Sequence, residues 1–293
     1  METRHTISAM IPTLNRPAAV VDVVRDLLRQ DVLPQDIVIV DQSETVNHEL
    51  EQMAKVSPIV KVIRTTIRGT CHARNLGIAA ATGDIVVFLD DDVRLTQPSF
   101  LRHHLSAYAD ETIGGVGGRV LDKNTALNRE QTGRVCTVTR TGRIFANASS
   151  TVRQDINAPR GGNMSFRRPA IIEAGPFDEA FRGNAMREET DFSLRVVQHG
   201  WRILYEPAAE VLHLGLAGGS RSADRITWYR DFFFNESYFF LKHFSRWYLP
   251  LLLGRKLRPI FACAFYYGRG RWSAIRAPWQ SFADAWRLTH QRA

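Results

Sequence analysis

The sequence predicts an α/β fold in which a mainly parallel sheet is flanked by helices and followed by a C-terminal helical extension. In roughly the first hundred residues, short strands that are apolar throughout alternate with segments of helical periodicity. Strands without polar alternation are typical of sheets buried on both faces, and the alternation of strand and helix favours parallel pairing. From about residue 226 the pattern changes to dense aromatic and basic residues. We therefore predict a sheet domain at 1–225 and a helical region at 226–293.

The individual elements follow from apolar periodicity and from turn residues. Pro17 suits the first turn of a helix, and apolar side chains on one face continue that helix to Leu28. The Gly-rich residues 113–120 indicate a strand whose backbone is closely approached by a ligand or by another part of the chain. Residues 124–158 are polar and turn-rich, which is typical of a loop or a small hairpin over the strand ends. The predicted elements are strands at 6–11, 37–40, 60–63, 85–93, 113–120, 161–166, 201–205 and 210–214, and helices at 18–28, 73–81, 100–109 and 193–199.

The strand at 85–93 ends in three consecutive carboxylates, Asp90, Asp91 and Asp92. Three adjacent negative charges repel one another, so a neighbouring cation explains them best. Hard divalent cations such as Mg²⁺ take oxygen ligands and often share them with a substrate phosphate. Because side chains alternate along an extended segment, Asp90 and Asp92 point to one side and Asp91 to the other. The alternative is an acidic turn whose charges are only solvated.

Polar side chains also follow the other early strands. Thr13 and Asn15 follow the first strand, and Asp41 ends the second. The carboxyl ends of parallel strands meet at one edge of the sheet, where open α/β sheets bind ligands. Arg74 and Asn75 lie near that edge, at the start of the helix before the acidic strand. Singly, each has a structural explanation as a turn residue or a solvated charge. Together they suit a nucleoside diphosphate, since arginine binds phosphate oxygens and a carboxylate binds the ribose or base.

A second acidic cluster precedes the predicted helix at 193–199 and reads Glu188-Glu189-Thr190-Asp191. Thr190 suits the N-cap position, and acids are favourable at the positive end of a helix dipole. These properties explain the cluster structurally. The functional interpretation is that one carboxylate accepts a proton from an incoming hydroxyl group.

Composition narrows the classes of partner. The 293-residue chain has a formal net charge of +8, which favours an anionic partner. Its cysteines, Cys71, Cys136 and Cys263, are widely spaced without a metal-ligand pattern, as expected of reduced thiols in the cytosol. No charged-then-apolar signal segment precedes the first strand, so we expect a cytoplasmic protein. No nucleic-acid-binding motif is present, and we expect no nucleic-acid partner.

The C-terminal region interleaves aromatic and basic side chains between residues 228 and 280. No apolar run reaches the roughly 20 residues that span a membrane. The composition suits helices in a membrane interface, with aromatic rings at headgroup depth and arginines against anionic lipid. The alternative is a helical subdomain packed on the sheet or on another subunit.

The set of motifs resembles that of the family-2 glycosyltransferases, which have the nucleotide-diphospho-sugar transferase (GT-A) fold. The resemblance covers roughly residues 6–215. Each motif alone is weakly specific, and the ordered set identifies the family. The matching pieces are the residues after the first two strands at 11–16 and 40–43, the helix entry at 69–77, the Asp-x-Asp-like run at 88–92, the strand at 162–165 and the acidic helix start at 188–191.

The resemblance implies an inverting transfer of a sugar from a nucleotide-diphosphate donor to an acceptor hydroxyl group, with Mn²⁺ or Mg²⁺ as cofactor. It implies Asp92, Asp90 and His213 as metal ligands, and Asp91 and Asp41 as residues facing the ribose and base. The other implied donor-binding residues are Pro12, Thr13, Asn15, Arg16, Gly69, Arg74, Asn75 and Asp90. The implied acceptor-binding residues are Gly162, Asn163, Met164 and Glu188.

The catalytic base implied by the resemblance is Glu189, with Asp191 and Glu188 as the next candidates. The family usually has an aspartate at the second position of the acidic motif, so Glu189 departs from the pattern by one methylene group. A second departure is Gln42, because the family commonly has another acid after Asp41.

Many family members act on lipid-linked or envelope glycans, so the resemblance implies such an acceptor, with the C-terminal region at the inner face of the cell membrane. Two other functions are compatible with the same predicted sheet and charged residues. A nucleotidyltransferase would need a Gly-rich loop with Lys or Arg after the first strand, which residues 12–17 do not supply. The other is a non-catalytic, membrane-associated module that binds sugar nucleotides. Such a module would not need the acidic residues at 41, 90–92 and 188–191 together.

Overall fold

A mixed sheet forms the centre of the computed structural model, which describes residues 5–123, 134–220, 224–267 and 272–291. The strands are β1 (Ile7–Thr13), β2 (Asp36–Asp41), β3 (Val60–Arg64), β4 (Ile85–Leu89), β5 (Val93–Leu95), β6 (Ile113–Asp122), β7 (Thr137–Val138), β8 (Ile144–Phe145), β9 (Gln154–Ile156), β10 (Asn163–Arg167) and β11 (Arg202–His213). The helices are α1 (Pro17–Leu27), α2 (His48–Val56), α3 (Thr70–Ala80), α4 (Phe100–Ala107), α5 (Arg168–Ala174), α6 (Glu188–Gln198), α7 (Arg225–His243), α8 (Leu249–Phe261) and α9 (Trp272–Gln291).

The order of the strands brings the ends of the early strands together. Within the described residues the sheet runs β3-β2-β1-β4-β10-β6-β11-β5, with β9 beside β11. The first four strands in this order are parallel, as are β6 and β11, whereas β10 is antiparallel to both of its neighbours. The predicted α/β fold with a mainly parallel sheet and flanking helices is confirmed. Because β1, β2 and β4 are parallel, their carboxyl ends meet at one edge.

The central strands are buried, as the uninterrupted apolar sequence of β4 predicts, and β10 is buried as well although it reads Asn-Met-Ser-Phe-Arg. Every residue of β2, β4 and β10 is buried. The rings of Phe177 and Phe192 stack with their centroids 4.2 Å apart. Phe88 of β4 meets the first of these rings edge-on, and Phe166 of β10 meets the second. These contacts attach α6 to the sheet, so the acidic start of α6 is held close to the strand ends.

Helix α2 is absent from the predicted elements, and the structure corrects this. Its apolar stripe is short: Leu50 is buried, and Met53 and Ala54, three and four residues later, are partly buried against the core. The side chain of Asn47 caps the helix by accepting a hydrogen bond from the Leu50 amide at 3.3 Å.

Two further local predictions are wrong in detail. Helix α6 begins at Glu188, so Thr190 lies inside the helix rather than at its N-cap. The N-cap is Arg187, whose backbone is left-handed and whose side chain makes no cap hydrogen bond. The strands predicted at 201–205 and 210–214 form one continuous strand, β11, with a shift of register in its middle.

Part of the predicted loop or hairpin at 124–158 lies outside the described residues, namely 124–133. The rest contains a hairpin of β7 and β8, followed by β9, which pairs with β11. Arg255 of α8 donates a hydrogen bond to the Thr141 carbonyl oxygen at 2.9 Å. The hairpin therefore packs on the C-terminal helices.

The C-terminal helices share the core of the sheet. Phe234, Tyr238 and Phe239 of α7 belong to the same buried apolar cluster as the strands. None of the helices in the described ranges is long and apolar enough to cross a membrane. Residues 268–271 and 292–293 of the predicted helical region lie outside the described residues.

Candidate active site

An open cleft of about 560 Å³ lies at the carboxyl edge of the sheet. Most of the predicted site residues line it, although they come from strands and helices far apart in the sequence. Those at the cleft are Pro12, Thr13, Arg16, Arg74, Asp90, Asp91, Asp92, Gly162, Glu188, Glu189 and His213. The predicted residues that do not line it are Asn15, Asp41, Gly69, Asn75, Asn163, Met164 and Asp191.

Three side chains of the cleft form a cluster that suits a divalent cation. One ligand atom from each of Asp90, Asp92 and His213 lies within 4.8 Å of the other two. Two carboxylates and an imidazole are an appropriate donor set for Mn²⁺, and the carboxylates also suit Mg²⁺. The residues present therefore fit the metal implied by the sequence motifs.

Asp122, at the end of β6, orients the histidine of this cluster. Its Oδ1 atom lies 2.7 Å from His213 Nδ1, which leaves Nε2 directed towards Asp92, 3.6 Å away. Histidine ligands of metals commonly donate their other N–H to a carboxylate in this way. Asp122 is not among the predicted site residues. It had a detectable signal, since Asp122 ends its strand in the same manner as Asp41 ends β2.

Arg16 neutralises the acidic run and ties it to the loop after β11. Its Nη1 atom lies 2.7 Å from Asp91 Oδ1 and 3.2 Å from Asp92 Oδ2. Its Nη2 atom donates a hydrogen bond to the Leu216 carbonyl oxygen at 2.6 Å. Burial raises the pKa of Asp91 to about 6, although Arg16 and the Thr13 hydroxyl, which donates to Asp91 at 2.8 Å, oppose this shift. Arg16 thus balances part of the negative charge of the acidic run, at Asp91 and Asp92.

Arg74 connects the metal cluster to the acidic helix. This buried guanidinium forms an ion pair with Glu188 and lies 4.0 Å from Asp90. It also donates a hydrogen bond to the Gly161 carbonyl oxygen at 3.2 Å. A Cβ atom at Gly161 would lie 2.7 Å from Arg74 Nη2, and one at Gly162 would lie 2.5 Å from Asp90 Oδ2. Because glycine has no Cβ atom, the side chains of Arg74 and Asp90 can occupy this space.

The structure separates the three carboxylates that the sequence could not rank. Glu188 is buried against Arg74, and its Oε2 atom has no hydrogen-bond partner among the described residues. Burial raises the pKa of Glu188, although the charge of Arg74 opposes this. Glu189 is half-buried at the cleft, and its carboxylate makes no hydrogen bond or ion pair within the described part of the chain. Asp191 is fully buried and faces α7, with His243 Nε2 at 2.7 Å and Lys242 Nζ at 2.8 Å. Glu189 is thus the carboxylate available to a substrate.

Asp41, a predicted donor-site residue, and Gln42 after it both hold the backbone around the cleft. Asp41 is buried and accepts a hydrogen bond from the Ser43 amide at 2.9 Å. Gln42 accepts one from the Gly69 amide at 2.6 Å, which fixes the start of α3 beside the cleft. The amide side chain that departs from the family pattern at Gln42 therefore has a definite structural role. Direct contact of Asp41 with the donor stays a prediction.

The remaining predicted residues are engaged elsewhere. Asn15 is exposed, and its amide donates to the Ser43 hydroxyl at 2.7 Å. Asn75 donates to the Phe177 carbonyl oxygen at 3.0 Å. The side chain of Asn163 is buried between strands, where it donates to the Arg119 and Ala209 carbonyl oxygens, and Met164 is also buried. In the strand predicted to bind the acceptor, the residue that borders the cleft is Gly162, together with Gly161 before it.

The curated relatives of this chain are glycosyltransferases. A pre-mycofactocin glycosyltransferase of Mycobacterium tuberculosis is 29% identical over 154 residues, which cover 50% of this chain and 30% of that protein. A poly-β-1,6-N-acetyl-D-glucosamine synthase of Staphylococcus aureus is 24% identical over 209 residues, which cover 69% of this chain and 48% of that protein. The matched parts thus span less than half the length of either relative.

A solved structure agrees in fold, and a family model covers most of the cleft residues. A mannosyltransferase of Pyrobaculum calidifontis in complex with GDP-Man and Mn²⁺ superposes with a TM-score of 0.61 at 18% identity, over 97% of this chain and 76% of that one. The model of the family described as Glycosyl transferase family 2 matches residues 8–175, more than half of the 293 residues. The chain therefore belongs to glycosyl transferase family 2 and has the GT-A fold of its structural neighbours.

Proposed function

We propose that the protein is an inverting, metal-dependent glycosyltransferase that moves a sugar from a nucleotide-diphosphate donor to an acceptor hydroxyl group. The observation that carries this proposal is a shared cleft. The cation cluster of Asp90, Asp92 and His213 lines the same cavity as the carboxylate of Glu189, which has no partner within the described ranges. The first group suits a diphosphate leaving group, and the second suits a hydroxyl nucleophile.

The donor half of the cleft is the edge formed by β1 and β4. A divalent cation held there by Asp90, Asp92 and His213 would stabilise the negative charge that develops on the departing diphosphate. Arg74, close to Asp90, adds a second positive charge on this side. Asp91 lines the cleft, and its contact with the ribose or base, like that of the buried Asp41, stays a prediction.

The acceptor half is the side of the cleft formed by Glu189, Met186 and Gly162. The acceptor oxygen would attack the anomeric carbon as the bond from that carbon to the diphosphate oxygen breaks. The hydroxyl proton would pass to Glu189, and the nucleoside diphosphate would leave. Attack opposite the leaving group inverts the configuration at the anomeric carbon. A base acting this way needs a free carboxylate, which Glu189 has and Asp191 does not.

The relatives support a role in the synthesis of a cell-envelope polysaccharide or glycolipid. The S. aureus relative is named as a polysaccharide synthase, and the P. calidifontis neighbour was solved with a sugar nucleotide and Mn²⁺. The acceptor that we propose is accordingly a glycan or a lipid-linked glycan. A nucleotidyltransferase remains disfavoured by residues 12–17. A non-catalytic binding module is disfavoured because it would not need Glu189 unpaired at the cleft.

Turnover of sugar nucleotides tests this function directly. We expect one donor of a panel of UDP-, GDP- and dTDP-sugars to release nucleoside diphosphate in the presence of Mn²⁺ or Mg²⁺ and an acceptor extract, and a chelator to stop this release. Product analysis by NMR should show the inverted anomer. A folded protein that releases nothing from any donor, with and without membrane extract, would contradict the enzyme function. Retained configuration would contradict the mechanism.

We also propose that the enzyme touches the membrane through its C-terminal region, within the predicted range 228–280. Helix α8 exposes large apolar side chains, with Trp247 just before it 91% exposed and Phe261 at its end 65% exposed. Phe261 and Phe265 contact each other with centroids 4.8 Å apart, and both face solvent. Arg258 is exposed on the same helix. Exposed aromatic rings beside arginine suit an anionic lipid surface.

Vesicle flotation tests this contact. The protein should float with vesicles containing phosphatidylglycerol and should dissociate as salt is raised, because the screening length shortens. Replacing both Phe261 and Phe265 with serine should reduce the bound fraction at least about tenfold, since each buried aromatic side chain contributes about 1.5–3 kcal/mol. Ile172→Ser, which removes an exposed apolar side chain from α5, is the matched control and should bind like the wild type. Equal binding of the double variant would contradict the proposal.

A further inference from the structure

The turn at 182–187, which leads into the candidate base, has an unusual backbone. Gly183, Ala185 and Arg187 all have positive φ angles, of 60°, 52° and 84°. Glycine adopts this conformation freely, but alanine and arginine do so at a cost in free energy. Such residues persist only where the surrounding structure holds them, and they concentrate at functional sites. The turn therefore needs an external support.

Helix α7 supplies that support through buried polar side chains. Asn235 accepts a hydrogen bond from the Arg182 amide at 2.8 Å and donates one to the Arg182 carbonyl oxygen at 2.9 Å. At the other end of the turn, Glu236 Oε1 lies 2.8 Å from Arg187 Nε and 2.6 Å from Arg187 Nη2. Both ends of the strained turn are thus fixed to consecutive residues of one helix.

Glu236 is itself held from α8. Its Oε2 atom lies 2.7 Å from Lys256 Nζ, so its two oxygens take one cation each. The Glu236 side chain is only 5% exposed. A buried carboxylate with two cationic partners is fixed in position far more tightly than a surface ion pair.

Backbone hydrogen bonds join this turn to the first turn of α6, which carries the candidate base. The Glu188 amide donates to the Ala185 carbonyl oxygen at 3.0 Å, and the Asp191 amide donates to the Arg187 carbonyl oxygen at 2.8 Å. A change in the backbone of Arg187 therefore rotates the first turn of α6. Because Glu189 lies in this first turn, the same change would move its carboxylate relative to the cleft.

We infer that Glu236 is a positioning residue: by binding Arg187 it holds the strained turn at 182–187 and so aims Glu189 at the acceptor hydroxyl group. This inference rests on the proposed function. It makes α7, which lies beyond the residues matched by the family model, part of the catalytic apparatus. A misplacement of about 1 Å in such a group costs about a hundredfold in rate.

Steady-state kinetics of E236Q test the inference. We expect kcat for transfer to fall about ten- to a hundredfold, with the donor KM and the Kd for nucleoside diphosphate within about twofold of the wild type. The matched control is S281A, which removes a buried hydrogen bond of 3.0 Å from α9 to the Arg230 carbonyl oxygen of α7 without touching the turn. S281A should lower the melting temperature while kcat stays unchanged. If E236Q does not fold, R187M tests the same pair from its more exposed partner, with the same expected loss of kcat.

A double-mutant cycle excludes a merely structural effect. Glycine adopts the backbone of Arg187 without strain, so in an R187G background the loss of kcat caused by E236Q should shrink to within about twofold. If the two effects multiply independently, or if E236Q and R187M keep the wild-type kcat, the inference is overturned. Wild-type protein that turns over no donor would instead overturn the proposed function, so the two failures are distinguishable.

Discussion

Glu189→Gln should lower sugar transfer by about two to four orders of magnitude, the usual contribution of a general base. The substitution keeps the size of the side chain and removes its ability to accept a proton. Because Glu189 makes no ion pair or hydrogen bond within the described residues, the fold should not depend on its charge. We therefore expect an unchanged melting temperature and an unchanged Kd for nucleoside diphosphate, with the loss confined to kcat.

The control for this prediction is Glu111→Gln. Its side chain is 80% exposed at an ion pair with Arg167, far from the cleft, so the variant should transfer sugar like the wild type. Transfer by Glu189→Gln at the wild-type rate would remove Glu189 from the role of base. A loss of donor binding equal to the loss of transfer would show instead that Glu189 acts on the donor side.

Glu188 is the competing residue, and its environment predicts a different phenotype. Its carboxylate is buried against Arg74, so Glu188→Gln would leave a buried guanidinium without its counter-charge. Breaking a buried ion pair in this way is strongly destabilising. We therefore interpret Glu188 as the residue that holds Arg74 between the metal cluster and α6. Glu189 beside it is half-buried at the cleft and has no partner among the described residues, so its carboxylate can exchange a proton with a substrate at each turnover.

The positions of the strands and of the acidic run could be predicted from local sequence. Apolar strands ending in Thr13, Asp41 and Asp90 are patterns within one element, and parallel pairing then brings the strand ends together. The ranking of the second acidic cluster could not be predicted in this way. Glu189 and Asp191 are two residues apart in the same helix, and both suit its N-terminus. What separates them is His243, which lies 52 residues after Asp191 and occupies its carboxylate.

The same limit explains the residues that sequence reasoning missed or misplaced. Asn163 matches the family's acceptor-side strand, yet its side-chain amide donates hydrogen bonds to carbonyl oxygens 44 and 46 residues away in the sequence. Asp122 contacts the metal cluster through His213, 91 residues later. The spacing of a motif predicts where a strand runs. It does not predict what a side chain binds, because the partner often comes from a distant part of the sequence.

Asp92→Asn should abolish most of the metal-stimulated turnover, with a loss of at least about a hundredfold. The variant removes one of the two carboxylate ligands of the cluster, and Lewis-acid stabilisation of a leaving group is worth several kcal/mol. Asp122→Asn should cost less, about ten- to a hundredfold in metal affinity or activity, because it affects only the orientation of His213. Asp155→Asn, a surface ion-pair residue on β9, is the control.

The graded order of these effects distinguishes a metal site from an acidic cluster that only balances Arg16. In titrations with Mn²⁺, Asp155→Asn should bind the metal most tightly, Asp122→Asn more weakly and Asp92→Asn most weakly. Adding excess metal should partly restore the turnover of Asp122→Asn. If the carboxylates serve only Arg16, which lies 3.2 Å from Asp92, removing one of them should lower the melting temperature without changing metal affinity. Equal Mn²⁺ affinity in all three variants would therefore contradict the metal site. Their separation would place the cation on Asp92, with Asp122 acting through the histidine.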